Sequence, residues 1–218
     1  LIVAIDGPAG SGKSSVAKEL ARSFGFAYLD TGAAYRALAW AVMNGLPSAI
    51  LNSAELETSF KYEISTDPDD FWVRVGNEDV TEAIRTNLVS EAVSSVAQNL
   101  NVRSYMKTLT HQIAEDCAAP GIVIEGRDIT TVVYPDAHSR ILLTASEDVR
   151  MQRRARQSEL DSIEVSASVA QRDAKDSKVV DFLSPAPGVT LVDSTDMDFD
   201  ETVEVLERQI RQDLEGAK

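Results

Sequence analysis

The 218 residues include one cysteine, Cys117, two histidines and two tryptophans, and aromatic side chains make up only 6%. A single cysteine cannot close an internal disulfide, which points to a reducing, intracellular setting. No apolar run approaches the roughly 20 residues that a membrane-spanning helix requires. No basic stretch followed by a long apolar one opens the chain, so the expected location is the cytoplasm. His111 and His138 stand alone, without metal-ligand spacing. Basic residues are scarce: 21 Lys and Arg against 35 Asp and Glu, a net charge of −14. So acidic a field repels nucleic-acid polymers, whose binding rests on neutralised phosphates. There is also no 20–50-residue repeat and no low-complexity tract. At 44% hydrophobic and 26% charged, the chain has the length and composition of one folded domain with room for a small insert.

Short apolar, β-prone runs alternate with longer helical patterns, the signature of a parallel α/β sheet. The spacing predicts five core strands, at Leu1–Asp6, Phe26–Asp30, Gly121–Glu125, Arg140–Ala145 and Val189–Asp193. Nearly continuous apolar character fits strands covered on both faces. Helices are expected at about Gly12–Phe24, Ala33–Asn44, Asn101–Ala118, Glu147–Gln157, Val165–Asp176 and Glu201–Leu214. One segment breaks the alternation. Lys61–Ser65 and Phe71–Val75 read as short antiparallel strands joined at Asp67-Pro68-Asp69-Asp70, a turn composition. Residues 46–95 are therefore expected to form an insert.

Gly7-Pro8-Ala9-Gly10-Ser11-Gly12-Lys13-Ser14 fits the G-x-x-x-x-G-K-[ST] pattern between a buried strand and an amphipathic helix, and Ser15 follows in the first helical turn. Glycines let backbone N–H groups turn inward around a phosphate, and the helix N-terminus adds roughly half a positive charge aimed at the same anion. Lys13 is of the type that reaches the β- and γ-phosphates, and the Ser14 hydroxyl is of the type that ligates Mg²⁺. This implies a nucleoside triphosphate. No N-K-x-D or T-K-x-D segment is present to mark a GTPase, and the apolar run Ile122-Val123-Ile124 ends in Glu125 rather than Asp. A small kinase fits this length better than a motor ATPase.

Asp30-Thr31-Gly32-Ala33-Ala34-Tyr35-Arg36 follows the second strand. Thr31 is placed to cap the next helix, Gly32 allows close backbone approach, and Arg36 lies one turn in, suited to a two-bond grip on a phosphate. Gly126-Arg127-Asp128 stands at the carboxyl end of the third strand, the edge where open α/β sheets bind ligands. Arg127 and Asp128 there are either a structural ion pair or a phosphate ligand beside a base-reading carboxylate. Arg150, Arg153, Arg154 and Arg156 fall within seven residues, and the chain carries 14 arginines to 7 lysines, a bias towards bidentate phosphate recognition. Such a run is either a solvated helix face or a lid that closes over a transferring phosphoryl group.

Taken together, these segments resemble the bacterial-type cytidylate kinases along the whole chain. The resemblance runs through Ile5–Gly10, Leu29–Arg36, Gly76–Arg85, Ile124–Ile129, Val132–Ala137 and the Asp173–Asp176 region. It implies a P-loop kinase core with a five-stranded parallel sheet flanked by helices (residues 1–45, 96–147 and 177–218), an NMP-binding insert (about 46–95) and an Arg-rich lid (about 148–176). It implies ATP-dependent phosphorylation of CMP and dCMP with Mg²⁺. Separately, the expected state is a monomer. By position, Thr31, Arg36 and Arg127 would hold the acceptor phosphate, Ser94, Arg103 and Asp128 the cytosine, and Tyr35, Arg172 and Asp176 the nucleoside. Lys13, Arg127, Asp128, Arg153 and Arg154 would serve the transfer itself. Three departures stand out: Thr130 where the family has Gly, a short lid around Gln157–Ser162, and Lys178 displaced from an expected Arg.

Overall fold

The computed structural model describes residues 1–157 and 183–216. The expected helix Val165–Asp176, with Arg172 and Asp176, and most of the expected lid lie outside these residues. In chain order the described elements begin with strand β1 (Ile2–Asp6), helix α1 (Lys13–Phe24), β2 (Ala27–Asp30), α2 (Thr31–Met43) and a short α3 (Leu56–Ser59). Next come β3 (Tyr62–Ile64), β4 (Val73–Val75), β5 (Glu78–Asp79), α4 (Asn87–Ala97) and α5 (Leu100–Glu115). The chain then forms β6 (Ile122–Gly126), β7 (Ser139–Thr144), α6 (Glu147–Gln157), β8 (Thr190–Asp193) and α7 (Phe199–Gly216). Among the described residues no helix is long and apolar enough to cross a membrane.

The expected five-stranded sheet is present, in the order β2-β6-β1-β7-β8. β1 is central and runs parallel to both neighbours, with Asp6 opposite Gly126 in β6 and Leu142 in β7. Val3, Ala4 and Ile5 are fully buried, as a strand covered on both faces should be. Burial of Val3 and Ile5 contributes about 1.5–3 kcal/mol each through removal of apolar area from water. The C-terminal ends of β1 and β6 lie in register, so the phosphate loop after Asp6 and the Arg127-Asp128 pair after Gly126 leave the sheet side by side.

Compactness divides the chain into two units, Leu1–Tyr28 with Ala119–Lys218, and Leu29–Ala118. The first contains most of the sheet. The second is built on α2, whose buried face (Ala33, Ala37, Leu38 and Ala41) packs with α4, α5 and β4. It is wider than the 46–95 segment because α2 and α5 share its apolar core. The expected antiparallel pair exists as β3 and β4, with Tyr62 opposite Val75 and Ile64 opposite Val73, and β5 adds a third strand. Helix α4 was not expected. Its valines and serines have modest helix propensity, and burial of Val89 and Val96 in this core decides the matter.

Candidate active site

In the first unit the phosphate loop leaves β1 and wraps the start of α1. Gly10 and Gly12 have φ of 79° and 89°, a left-handed conformation that costs glycine little. A Cβ at Gly10 would also lie 2.5 Å from the Arg150 carbonyl oxygen. Among the described residues no side chain caps α1, and no acid stands in its first turn, so its amides and dipole are open to an anion. The Ser11 hydroxyl is buried without a hydrogen-bond partner among the described residues. Lys13 folds back, donating to the Pro8 carbonyl at 3.5 Å and lying 3.9 Å from Glu125 Oε2.

Glu125 is the residue that local sequence reading passed over. It is 3% exposed, and its Oε1 accepts the Ser14 hydroxyl at 2.5 Å and the Tyr28 hydroxyl at 3.0 Å. The signal in the sequence was weak: an apolar run ending in an acid. Only strand pairing between β1 and β6 carries that acid to the start of α1. A carboxylate touching a serine hydroxyl beside a phosphate loop is a hard oxygen donor set, and it fits Mg²⁺, which takes one or two protein oxygens with phosphates and waters.

Two arginines of α6 brace the same loop. Arg150 donates to the Ala9 carbonyl at 2.9 Å. Arg153 donates through Nη1 to the Ser11 carbonyl at 3.2 Å and the Ser194 hydroxyl at 2.9 Å, and through Nη2 to the carbonyls of Ser194 and Met197 at 2.8 and 3.2 Å. Burial lowers the pKa of Arg153 from its ordinary value. Arg154 is half-buried and Arg156 exposed on the same helix. After β6, Arg127 and Asp128 are half-buried, and the Asp128 carbonyl accepts from the Val132 and Val133 amides at 2.8 and 3.1 Å. His138 serves the backbone, its Nδ1 accepting from the Ile2 amide at 3.1 Å.

In the second unit the helix cap differs from expectation. Asp30, not Thr31, caps α2, its Oδ1 accepting from the Ala33 amide at 3.0 Å. Its Oδ2 accepts from Arg36 Nη2 at 2.6 Å, so one carboxylate caps the helix and orients the arginine. Thr31 is instead the first helical residue, because the carboxylate one position earlier has the geometry to reach Ala33. A Cβ at Gly32 would fall 3.0 Å from Asp30 Oδ1 and 3.1 Å from Arg36 Nη1; glycine leaves room for that pair. The Tyr62 hydroxyl is buried without a hydrogen-bond partner among the described residues. Burial, reinforced by the Asp30 carboxylate, pushes this phenol well above its ordinary pKa, while Arg36 pulls the other way. Tyr35 on α2, Ser94 on α4 and Arg103 on α5 are all half-buried. Asn99 starts α5 by accepting from the Asn101 and Val102 amides.

The cytidylate kinase family model matches residues 3–212. This chain belongs to the cytidylate kinase family. It is 41% identical over 211 residues to a cytidylate kinase of Cutibacterium acnes, covering 94% of each chain. It is 42% identical over 214 residues to one of Rhodococcus opacus, covering 93% of this chain and 91% of that one. Among solved structures, the shikimate kinase of Bacteroides thetaiotaomicron superimposes with a TM-score of 0.51 at 13% identity, over 97% of this chain and 98% of that one. A protein of Eubacterium ventriosum gives the same TM-score at 12% identity over the same shares. These two likenesses concern the fold alone. As a member of a family of nucleoside monophosphate kinases, the chain is an enzyme with nucleotide substrates.

Proposed function

We propose that this member of the family transfers the γ-phosphoryl group of ATP to the phosphate of CMP, and of dCMP, releasing ADP. Membership of the family over residues 3–212 carries this reading. The uncapped start of α1, with Lys13 and Ser14 in its first turn, supports ATP as donor. A phosphate oxygen of the acceptor attacks the γ-phosphorus in line, and the bond from that phosphorus to the β-bridging oxygen breaks. The acceptor oxygen is already anionic, so positioning and charge neutralisation supply most of the catalysis and no dedicated general base is needed.

The roles divide accordingly. The backbone of Gly7, Pro8, Ala9, Gly10, Ser11 and Gly12 lines the donor phosphates, through N–H groups at every position but Pro8, which has none, with Lys13, Ser14 and Ser15 at the helix start. Ser14, oriented by Glu125, would hold Mg²⁺, which when bound neutralises the charge on the β- and γ-phosphates. Thr31, Arg36 and Arg127 take the acceptor phosphate; Ser94, Arg103 and Asp128 the cytosine; Tyr35, Arg172 and Asp176 the nucleoside. Arg153 and Arg154 belong to the lid over the transferring group, and the bonds of Arg153 to the loop and to Ser194 support a bracing role. In functional terms 46–95 is the acceptor insert and 148–176 the lid of a cytoplasmic monomer; the single cysteine supports a reducing compartment.

A coupled ADP-release assay across CMP, dCMP, UMP, AMP and shikimate tests this. Turnover with CMP and dCMP well above the others is expected. Turnover confined to another acceptor would overturn the substrate, and none with any acceptor would overturn the reaction.

A further inference from the structure

Asp6 closes β1 one residue before the phosphate loop, and it is only 2% exposed. A carboxylate taken that far from water must be met by donors. The turn that leaves β6 supplies three. The Ile129 amide donates to Oδ1 at 2.9 Å, the Thr130 amide to Oδ2 at 2.8 Å, and the Thr130 hydroxyl to the same Oδ2 at 2.6 Å. The two amides would be present with any non-proline residues at 129 and 130. The third donor requires a hydroxyl at 130.

The position of these bonds gives them a consequence for the site. Gly126 is held opposite Asp6 by the β1–β6 ladder, and the amides of 129 and 130 are held by the Asp6 side chain. Arg127 and Asp128 are the two residues between, so the chain on either side of them is tied to one residue of β1. The turn beyond is closed by the Tyr134 amide on the Ile129 carbonyl at 2.7 Å. We propose that Thr130 is a positioning residue for the acceptor nucleotide: its hydroxyl locks the Asp6 carboxylate onto the β6 turn and so fixes where Arg127 and Asp128 meet CMP. The inference rests on the reading of Arg127 and Asp128 as acceptor ligands.

The lock depends on ionised Asp6. A protonated carboxyl places an O–H among donors that need acceptors, and the turn loosens. Burial pushes the Asp6 carboxyl up to about 6 and Asp128 pushes the same way, whereas the Thr130 hydroxyl is foremost among the bonds that hold it down. Other charges near the turn are Arg140 of β7, whose Nη1 donates to the Thr130 carbonyl at 3.5 Å, and Glu125, which is turned to Ser14. The ladder partners Gly126 and Leu142 bring none.

The test compares wild type with Thr130→Val, Thr130→Ala and Thr130→Ser, measuring KM for CMP and for ATP, kcat, and kcat/KM for CMP from pH 5 to 9. The Asp6 carboxyl is titrated in parallel by carbon-13 NMR. Because a phosphomonoester itself titrates near pH 6, the informative quantity is the shift between variants with the same substrate. Losing the hydroxyl should raise KM for CMP by about 5–10-fold, the equivalent of one hydrogen bond, leave KM for ATP within about twofold, and move the acid limb and the Asp6 titration to higher pH. Thr130→Ser should restore all of these. Unchanged KM for CMP in both Val and Ala, or equal rises for CMP and ATP, or a serine variant no better than valine, would overturn the proposal. Arg127→Ala separates the two readings: if it leaves KM for CMP untouched, the acceptor assignment fails; if it raises KM while the Thr130 variants do not, only the lock fails.

Discussion

The Ser14 hydroxyl donates to Glu125 Oε1 at 2.5 Å across 111 residues of sequence. The same oxygen accepts from Tyr28, and Lys13 lies 3.9 Å from the other one, so Glu125 organises the two side chains of the phosphate loop to which the proposed function assigns nucleotide and Mg²⁺. Glu125→Ala should lower kcat by about 10–100-fold, the usual loss when a partner that orients a metal ligand is removed, and should raise the Mg²⁺ concentration needed for half-maximal rate. Tyr28→Phe, which removes only one donor from the carboxylate, should have a much smaller effect. A magnesium titration of the ADP-release assay measures both; an unchanged magnesium requirement in Glu125→Ala would sink the assignment.

The Asp30–Arg36 pair predicts a division between stability and binding. Asp30→Ala removes the α2 cap and should cost about 1–2 kcal/mol in chemical denaturation. Arg36→Lys keeps the charge but loses the planar fork. It should raise KM for CMP at least about tenfold while leaving KM for ATP within about twofold. If both KM values rose together, Arg36 would not act on the acceptor.

Asp6 makes stability depend on pH in the direction opposite to most carboxylates. Its pKa is raised from 3.8 to about 6 in the folded chain, so the folded state binds the proton more tightly than the unfolded state does. The stability this group contributes is fully present below about pH 3.8 and is lost as pH rises through 6. The difference is on the order of 3 kcal/mol. Denaturation of wild type and Asp6→Asn at pH 5 and pH 7.5 isolates it: wild type should lose stability relative to the variant on going to pH 7.5. A relative gain would contradict the sign.

Tyr62 offers a test by removal of one atom. Its ring stacks on Phe60 with centroids 5.5 Å apart, and its buried hydroxyl has no hydrogen-bond partner among the described residues. An unmet buried hydroxyl costs about 1–3 kcal/mol. Tyr62→Phe keeps the packing and should raise the melting midpoint by roughly 2–4 °C per kcal/mol recovered. A fall in the midpoint would mean that the hydroxyl makes a stabilising bond.

The sequence by itself determined the five core strands, the phosphate loop and the family, because each is written in local order: an apolar run, glycines at fixed spacing, a lysine and serine at a helix start. It also singled out Asp30–Arg36 as one segment, whose two ends the structure joins by a hydrogen bond. It misassigned the cap within that segment, since Thr31 and Asp30 are both good capping residues and only backbone geometry chooses between them. Helix α4 was invisible for a related reason: valine-rich segments read equally as strand, and burial against α2 decided. The contacts that organise the site were settled only by tertiary structure. Glu125 meets Ser14, Thr130 meets Asp6 across 124 residues, and Arg153 meets Ser194. Periodicity reports which residues share a face of one element; it carries no information about which strands become neighbours. The order β2-β6-β1-β7-β8 sets Asp6 beside Gly126, and from that register the lock on Arg127 and Asp128 follows.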